Sequence, residues 1–225
     1  MSKDTLCIIP ARSGSKGIKN KNIVQIKNKP LFIHSLEFAK KLDFIKKIIF
    51  TTDSKKYLNI AKKYGYNFYN LRPKKLATDT VETSSVIKYE VANLNKNDLK
   101  GVKFILVLQP TCPFRKVSDF KVAYKKLKNN YDSVLTIRRA KEQPERMMRK
   151  GKNGKIYNLN GKVNFKPRQN LQKLYIRSGS MYFFKINNLK SKRFIIGKKI
   201  YGIEVKGKYR INIDDIEDLN MARKY

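Results

Sequence analysis

Short apolar runs alternate with helix-periodic stretches along most of this chain, and that alternation restricts its fold more than any other feature. Leu6-Cys-Ile-Ile-Pro10 is an apolar run entering a loop with Gly14 and Gly17, and residues 30–42 then repeat apolar positions at helical spacing. Residues 47–52 read as a second strand, Ser54 as the cap of a helix over 55–64, and Gly65 as its stop. A third, short strand is expected at 67–69. Helices follow at 83–94 and 118–127, with strands at 103–108 and 133–137. Strands alternating with helices predict an α/β fold with a mostly parallel central sheet and right-handed crossovers.

Between about 140 and 177 the alternation fails. Gly151, Gly154 and Gly161 mark turns between short, basic, β-like pieces, which reads as an excursion from the core. The core resumes at 180–185, adds a strand at 200–205 and closes with a helix from about Ile216. At 225 residues, with no internal repeat and no low-complexity linker, the chain is expected to form a single domain, 1–225.

Composition narrows the function classes. No stretch approaches the roughly 20 apolar residues of a membrane span, and residues 1–10 lack the parts of an export signal. A cytoplasmic chain with no membrane partner is expected. Two cysteines, Cys7 and Cys112, build neither a disulfide framework nor a four-ligand zinc site, and are expected as reduced thiols. The net charge of +35 would attract any polyanion. The lysines are spread over the whole length, and Asn and Ile are also abundant, so compositional bias accounts for the charge better than a dedicated nucleic-acid surface.

The segment Pro10-Ala-Arg-Ser-Gly-Ser-Lys-Gly-Ile-Lys-Asn-Lys-Asn22 carries the first chemistry. It sits where the first strand ends, the default ligand crevice of open α/β sheets. Gly14 and Gly17 let backbone N–H groups approach an anion, and Arg12, Lys16 and Lys21 can neutralise phosphates. The spacing matches neither the Walker A loop nor the dinucleotide fingerprint. A basic surface loop that uses its glycines only for turning is the plainer alternative.

This loop resembles the N-terminal signature of the CMP-sialic acid, CMP-legionaminic acid and CMP-pseudaminic acid synthetases. Further matches follow in order: Thr51-Thr-Asp-Ser54, Leu71-Arg-Pro73, Leu76-Ala-Thr-Asp-Thr80, Leu108-Gln-Pro-Thr111, Pro113-Phe-Arg115, Asp132-Ser-Val134, Pro167-Arg-Gln169, and Ile213-Asp214 before Glu217-Asp-Leu219. They cover nearly the whole chain. The resemblance implies a three-layer, Rossmann-like nucleotidyltransferase fold whose excursion packs against a second subunit, hence a homodimer. It implies transfer of CMP from CTP to the anomeric hydroxyl of an acidic nine-carbon sugar, with pyrophosphate leaving and Mg²⁺ as cofactor.

Carried over position by position, the resemblance makes Arg12, Ser15, Lys16, Lys21 and Asn22 the triphosphate cradle and sets Arg72 beside the base. Gln109, Arg168 and Tyr182 would face the sugar, Arg168 forking around its carboxylate; Ile195 and Ile196 could wall its apolar side. For Tyr182 and the two isoleucines a plain core role is the alternative. Residues 212 and 214 alternate on one strand face, so Asn212 and Asp214 could both address a Mg²⁺ bridging the phosphates. The family usually has Asp at both positions, so Asn212 is a departure. Asp215 reads as a helix cap. His34, the one histidine, reads as a packed or capping group, and no general base is named.

Two other functions stay open at this point. One is the same chemistry on KDO, a shorter acidic sugar, although the Ser-Lys-Gly loop and Leu-Gln-Pro-Thr element fit the sialic-type branch better. The other is a catalytically weakened nucleotide- or nucleic-acid-binding derivative, suggested by Asn212 and the charge.

Overall fold

The computed structural model describes residues 2–159, 167–191 and 195–225. Strand β1 (Thr5–Pro10) leads through the basic loop to a small hairpin of β2 (Gln25–Ile26) and β3 (Lys29–Pro30). Then follow α1 (Leu31–Lys40), β4 (Ile45–Thr51), α2 (Lys55–Lys63), α3 (Thr83–Ala92), α4 (Lys96–Leu99), β5 (Phe104–Val107) and α5 (Val117–Lys128). The second half holds β6 (Ser133–Arg139), an outlying hairpin of β7 (Met148–Lys150) and β8 (Ile156–Asn158), β9 (Tyr175–Lys185), β10 (Ile200–Glu204) and α6 (Ile216–Arg223).

The main sheet runs in the order β10-β6-β9-β5-β1-β4. Strand β1 is parallel to β4 and β5, and β10 is parallel to β6, whereas β9 runs antiparallel to both its neighbours. Side chains alternate between two cores, as a period of two requires. Cys7, Ile9, Leu106 and Leu108 face a cluster closed by α1, α2 and α5. Ile8, Ile105 and Val107 face a second cluster closed by Ile87 of α3 together with Ile186 and Leu189. Helices on one face and a helix plus a 3-10 turn on the other give the expected three layers.

The local signals held where they rested on specific residues. The Ser54 hydroxyl accepts from the Tyr57 N–H at 3.3 Å and starts α2, and Gly65 follows it at φ +80°. Asp215 accepts from the Asp218 N–H at 2.9 Å and caps α6. His34 binds the Ile26 carbonyl at 2.8 Å and pins the hairpin to α1.

One expected strand is absent: 67–69 forms none. The segment passes the edge strand β4 with one backbone bond near it, from Arg72 N–H to the Thr52 carbonyl at 2.8 Å. Phe68 packs on Phe50 while Tyr69 stands in solvent, so ring packing, not a ladder, holds this stretch. The excursion leaves at Arg139 and β9 begins at Tyr175, earlier than expected, because Tyr175–Arg177 still pair with Ile137–Arg139 of β6.

Candidate active site

Where β1 and β5 end side by side, a cleft of about 450 Å³ opens. One wall is the basic loop after β1. Its start extends the sheet, Ala11 N–H bonding the Thr51 carbonyl at 2.9 Å. Asp53 then holds the turn with both carboxylate oxygens, accepting from the Ser13 N–H at 2.8 Å and its hydroxyl at 2.7 Å. Burial would push the Asp53 carboxyl up, but these bonds and nearby Arg72 hold it below its ordinary value. The buried Asn22 amide donates to the Arg12 carbonyl at 2.8 Å, so this residue, expected in the cradle, also braces the loop from behind.

The facing wall is the segment 211–214, which is extended without belonging to a strand. Ile211 and Ile213 are buried in a third apolar cluster, and Ile213 N–H bonds the Thr111 carbonyl at 2.8 Å. The alternation expected for a strand therefore survives, and it turns Asn212 and Asp214 into the cleft. Asp218 of α6 accepts from the Asp214 N–H at 3.0 Å.

The walls touch at two points. Lys21 Nζ donates to the Ile213 carbonyl at 2.9 Å and to the Asp214 carboxylate at 3.1 Å. Gly17 lies so close that a Cβ on it would stand 2.6 Å from the Asp214 carbonyl oxygen, which is why this loop position is glycine. Asn212 presents its amide N–H to Asp214 at 2.5 Å, while its carbonyl oxygen accepts from the Cys112 thiol at 3.4 Å. In this orientation Asn212 supplies a donor that aims Asp214; rotating the amide would exchange donor for oxygen.

Arg72 forms part of the floor. Its guanidinium is buried, and Nε and Nη2 have no hydrogen-bond partner among the described residues. Burial lowers its pKa, opposed by Asp53 and Glu90. A buried donor left open at a cleft can bond an acceptor that enters it. A third wall comes from 76–86, where Asp79 pairs with Arg12 and, at 2.8 Å, with Lys16.

Gln109 enters the cleft from the end of β5. Gly179, at φ +83°, lies behind it, and a Cβ there would stand 2.8 Å from Gln109 Oε1. Here β9 bulges, and the Thr136 hydroxyl fills the irregularity by accepting from the Ser180 hydroxyl and the Met181 N–H, both at 3.0 Å. Arg115 ties the region together, donating to the Gln109 carbonyl at 2.6 Å, the Ser180 carbonyl at 3.1 Å and the Ser35 hydroxyl at 3.1 Å. Burial pushes its pKa down to about 10, which leaves it charged at neutral pH.

Nine of the expected site residues therefore share the cleft: Arg12, Ser15, Lys16, Lys21, Asn22, Arg72, Gln109, Asn212 and Asp214. Tyr182 does not line it; half buried on β9, it packs with the second core cluster, as does Ile195. Arg168 has its backbone in the turn Arg168–Asn170, and its side chain lies outside the described residues. Asp53, Asp79, Arg115 and Gly179 were not expected as site residues. The first three sit inside the quoted motifs; a glycine between serines within a strand was the signal for the fourth. Both cysteines are buried and unpaired, their thiols pushed by burial up to about 12 for Cys7 and about 11 for Cys112.

The chain is similar to known proteins. The sequence model of a family described as Cytidylyltransferase matches residues 6–224. The N-acylneuraminate cytidylyltransferase of Escherichia coli O18:K1:H7 (strain RS218 / NMEC) is 36% identical over 151 residues, 66% of this chain and 34% of that protein. The pseudaminic acid cytidylyltransferase of Campylobacter jejuni subsp. jejuni serotype O:2 is 29% identical over 219 residues, covering 97% of this chain and 94% of that one. The chain thus spans about a third of the E. coli relative's length and nearly all of the Campylobacter one. In fold, a CMP:2-keto-3-deoxy-manno-octonic acid synthetase complexed with CTP superposes with a TM-score of 0.70 at 12% identity, over 98% of this chain and 97% of that one.

Proposed function

The chain belongs to the cytidylyltransferase family, and from that premise we propose that it transfers CMP from CTP to the anomeric hydroxyl of an acidic nonulosonate sugar, releasing pyrophosphate. The observation that carries this reading is the cleft itself. Arg12, Lys16 and Lys21 stand on one wall, the open donors of Arg72 on the floor, and Asp214 opposite. A nucleoside triphosphate matches that layout, phosphates against the cations and base toward the floor. The relatives' names supply the acceptor class, sialic or pseudaminic acid type. The solved neighbour at 12% identity supports the fold alone, so KDO remains a comparison substrate.

In-line attack of the sugar hydroxyl on the α-phosphorus must bring two anions together and let charge develop on the leaving pyrophosphate. Arg12, Lys16 and Lys21 lower both costs, and Gln109 at the end of β5 is placed to orient the acceptor. The side chain of Asp214 is 65% exposed and offers carboxylate oxygens, to which Asn212 would add its oxygen on rotation of its amide. That set fits a hard cation completing its shell from substrate phosphates; Asp214, with Asn212 if its amide rotates, would hold Mg²⁺, which supplies charge neutralisation at the phosphates.

The protein works as a homodimer in this reading. Met148 and Ile156, 56% and 59% exposed, share one face of the arm hairpin, and Tyr157, 50% exposed, stands on the other; a second copy would cover the Met148 and Ile156 face. In this reading the protein is cytoplasmic, where free thiols such as Cys7 and Cys112 stay reduced. Among the described residues no helix is long and apolar enough to cross a membrane.

The decisive experiment measures pyrophosphate release with CTP and Mg²⁺ over sialic, legionaminic and pseudaminic acids and KDO. Turnover on one nine-carbon sugar supports the reading. Turnover on KDO alone replaces the acceptor, and CTP binding with no turnover on any of them favours the catalytically weakened derivative.

A further inference from the structure

Asp79 occupies the place that the substrate's charge is expected to take. Its carboxylate reaches across the cleft from the segment between Pro73 and α3, meeting Arg12 and, at 2.8 Å, Lys16. Those partners lie 67 and 63 positions away in sequence, so tertiary structure brings them together. Lys16 and Arg12 hold the Asp79 carboxyl below its ordinary value, leaving it charged at neutral pH. The neighbouring Thr78 and Thr80 hydroxyls bond each other at 3.2 Å, closing the turn that presents it.

The cleft's cations divide accordingly. Lys21 pairs with Asp214, Arg72 has Asp53 and Glu90 nearby, and Arg12 and Lys16 have Asp79. An entering polyphosphate would therefore compete with Asp79 for Arg12 and Lys16, and the same carboxylate would be at hand when the polyphosphate leaves. We propose that Asp79 is an internal counterion of the phosphate cradle, displaced when the nucleotide's β- and γ-phosphates bind and returning to Arg12 and Lys16 to expel pyrophosphate.

This rests on the nucleotidyl-transfer reading above, and it specifies how the reaction ends. A tight cationic cradle alone would retain pyrophosphate, a more compact and more highly charged anion than the CMP moiety it leaves behind. An internal carboxylate weakens every polyphosphate complex by the same amount, which costs some substrate affinity and speeds product release.

The test is calorimetric titration of inorganic pyrophosphate and of CMP into wild-type, Asp79→Asn, Asp79→Ala and Asp79→Glu proteins at fixed ionic strength. Both neutral variants are expected to bind pyrophosphate about three- to tenfold tighter, the range two exposed ion pairs support. Asp79→Glu stays near wild type, and CMP, lacking the β- and γ-phosphates, stays unchanged in all. A merely structural role for Asp79 predicts the opposite sign, because loosening the loop weakens anion binding. Equal or weaker pyrophosphate binding by folded Asp79→Asn and Asp79→Ala overturns the proposal, and so does an equal gain for CMP.

In turnover, pyrophosphate inhibition should strengthen by the same factor; unchanged or weaker inhibition by pyrophosphate contradicts the proposal. The titrations need no acceptor sugar. Failure to find turnover would therefore strike the nucleotidyl-transfer reading and leave the binding comparison to be judged separately.

Discussion

Around the cleft Arg12, Lys16 and Lys21 each meet a carboxylate, whereas on the arm Met148, Ile156 and Tyr157 stand half exposed to water. Both regions are rich in basic residues, but in the cleft these cations meet carboxylates of the same chain, whereas the arm leaves these apolar side chains in water. Charge can be balanced by a few well-placed carboxylates from distant parts of the same fold. Apolar area on a short hairpin can be removed from water only by another surface. In the proposed reading the cleft exchanges internal anions for a ligand's, and the arm exchanges water for a second copy.

The largest effect should come from removing the carboxylate opposite the cradle. Asp214→Ala is expected to lower turnover by about 10²–10³, as loss of a group acting on transition-state charge does, with little change in Tm because the side chain is largely exposed. Parallel kinetics and thermal melts check this; a large fall in Tm would make Asp214 part of the scaffold.

Arg115→Ala strikes the scaffold behind the same cleft. It leaves the Gln109 and Ser180 carbonyls and the Ser35 hydroxyl without this donor, at an expected cost of about 2–4 kcal/mol. For a chain of this size that lowers Tm by roughly 5–15 °C, readable by calorimetry. An unshifted Tm would mean these acceptors find other partners.

Ile156→Glu tests the arm. If a second copy covers the hairpin, the charge should weaken self-association about tenfold or more, measured by sedimentation, while CTP binding in the cleft is retained. Loss of CTP binding together with self-association would erase the distinction between the two regions.

The smallest effect should come from Asp53→Asn. Its folded pKa lies below the ordinary value, so the ionised carboxylate contributes stability above the unfolded pKa of about 4 and loses it as pH falls through the folded value. At neutral pH the variant should be less stable by about 1 kcal/mol or less after solvent screening. The gap should narrow below about pH 4 in denaturant titrations.

Most of the fold was legible because its signals are local. Apolar runs such as 103–108, the Ser54 and Asp215 caps and the Gly65 stop depend on neighbours within one turn. The strand expected at 67–69 failed for want of a ladder partner beside the edge strand β4, something no local pattern contains. In the site, the loop residues and Asp214 were legible through ordered motifs. Arg115 and Gly179 were missed because their action depends on how the chain folds round Gln109: Arg115 turns back to the Gln109 carbonyl and on to Ser180 of β9, and Gly179 of β9 leaves space behind the Gln109 side chain.

The sequence by itself determined the alternating α/β layers, the basic glycine loop at the first strand's end, and the separation of an arm from the core, since periodicity, turn residues and composition are written along the chain. Only the tertiary structure decided that β9 runs against its neighbours, that Asn212 offers its amide donor to Asp214, and that Asp79 holds Arg12 and Lys16. Strand direction, amide orientation and ion pairing are relations between residues distant in sequence or free to rotate, and packing alone fixes them.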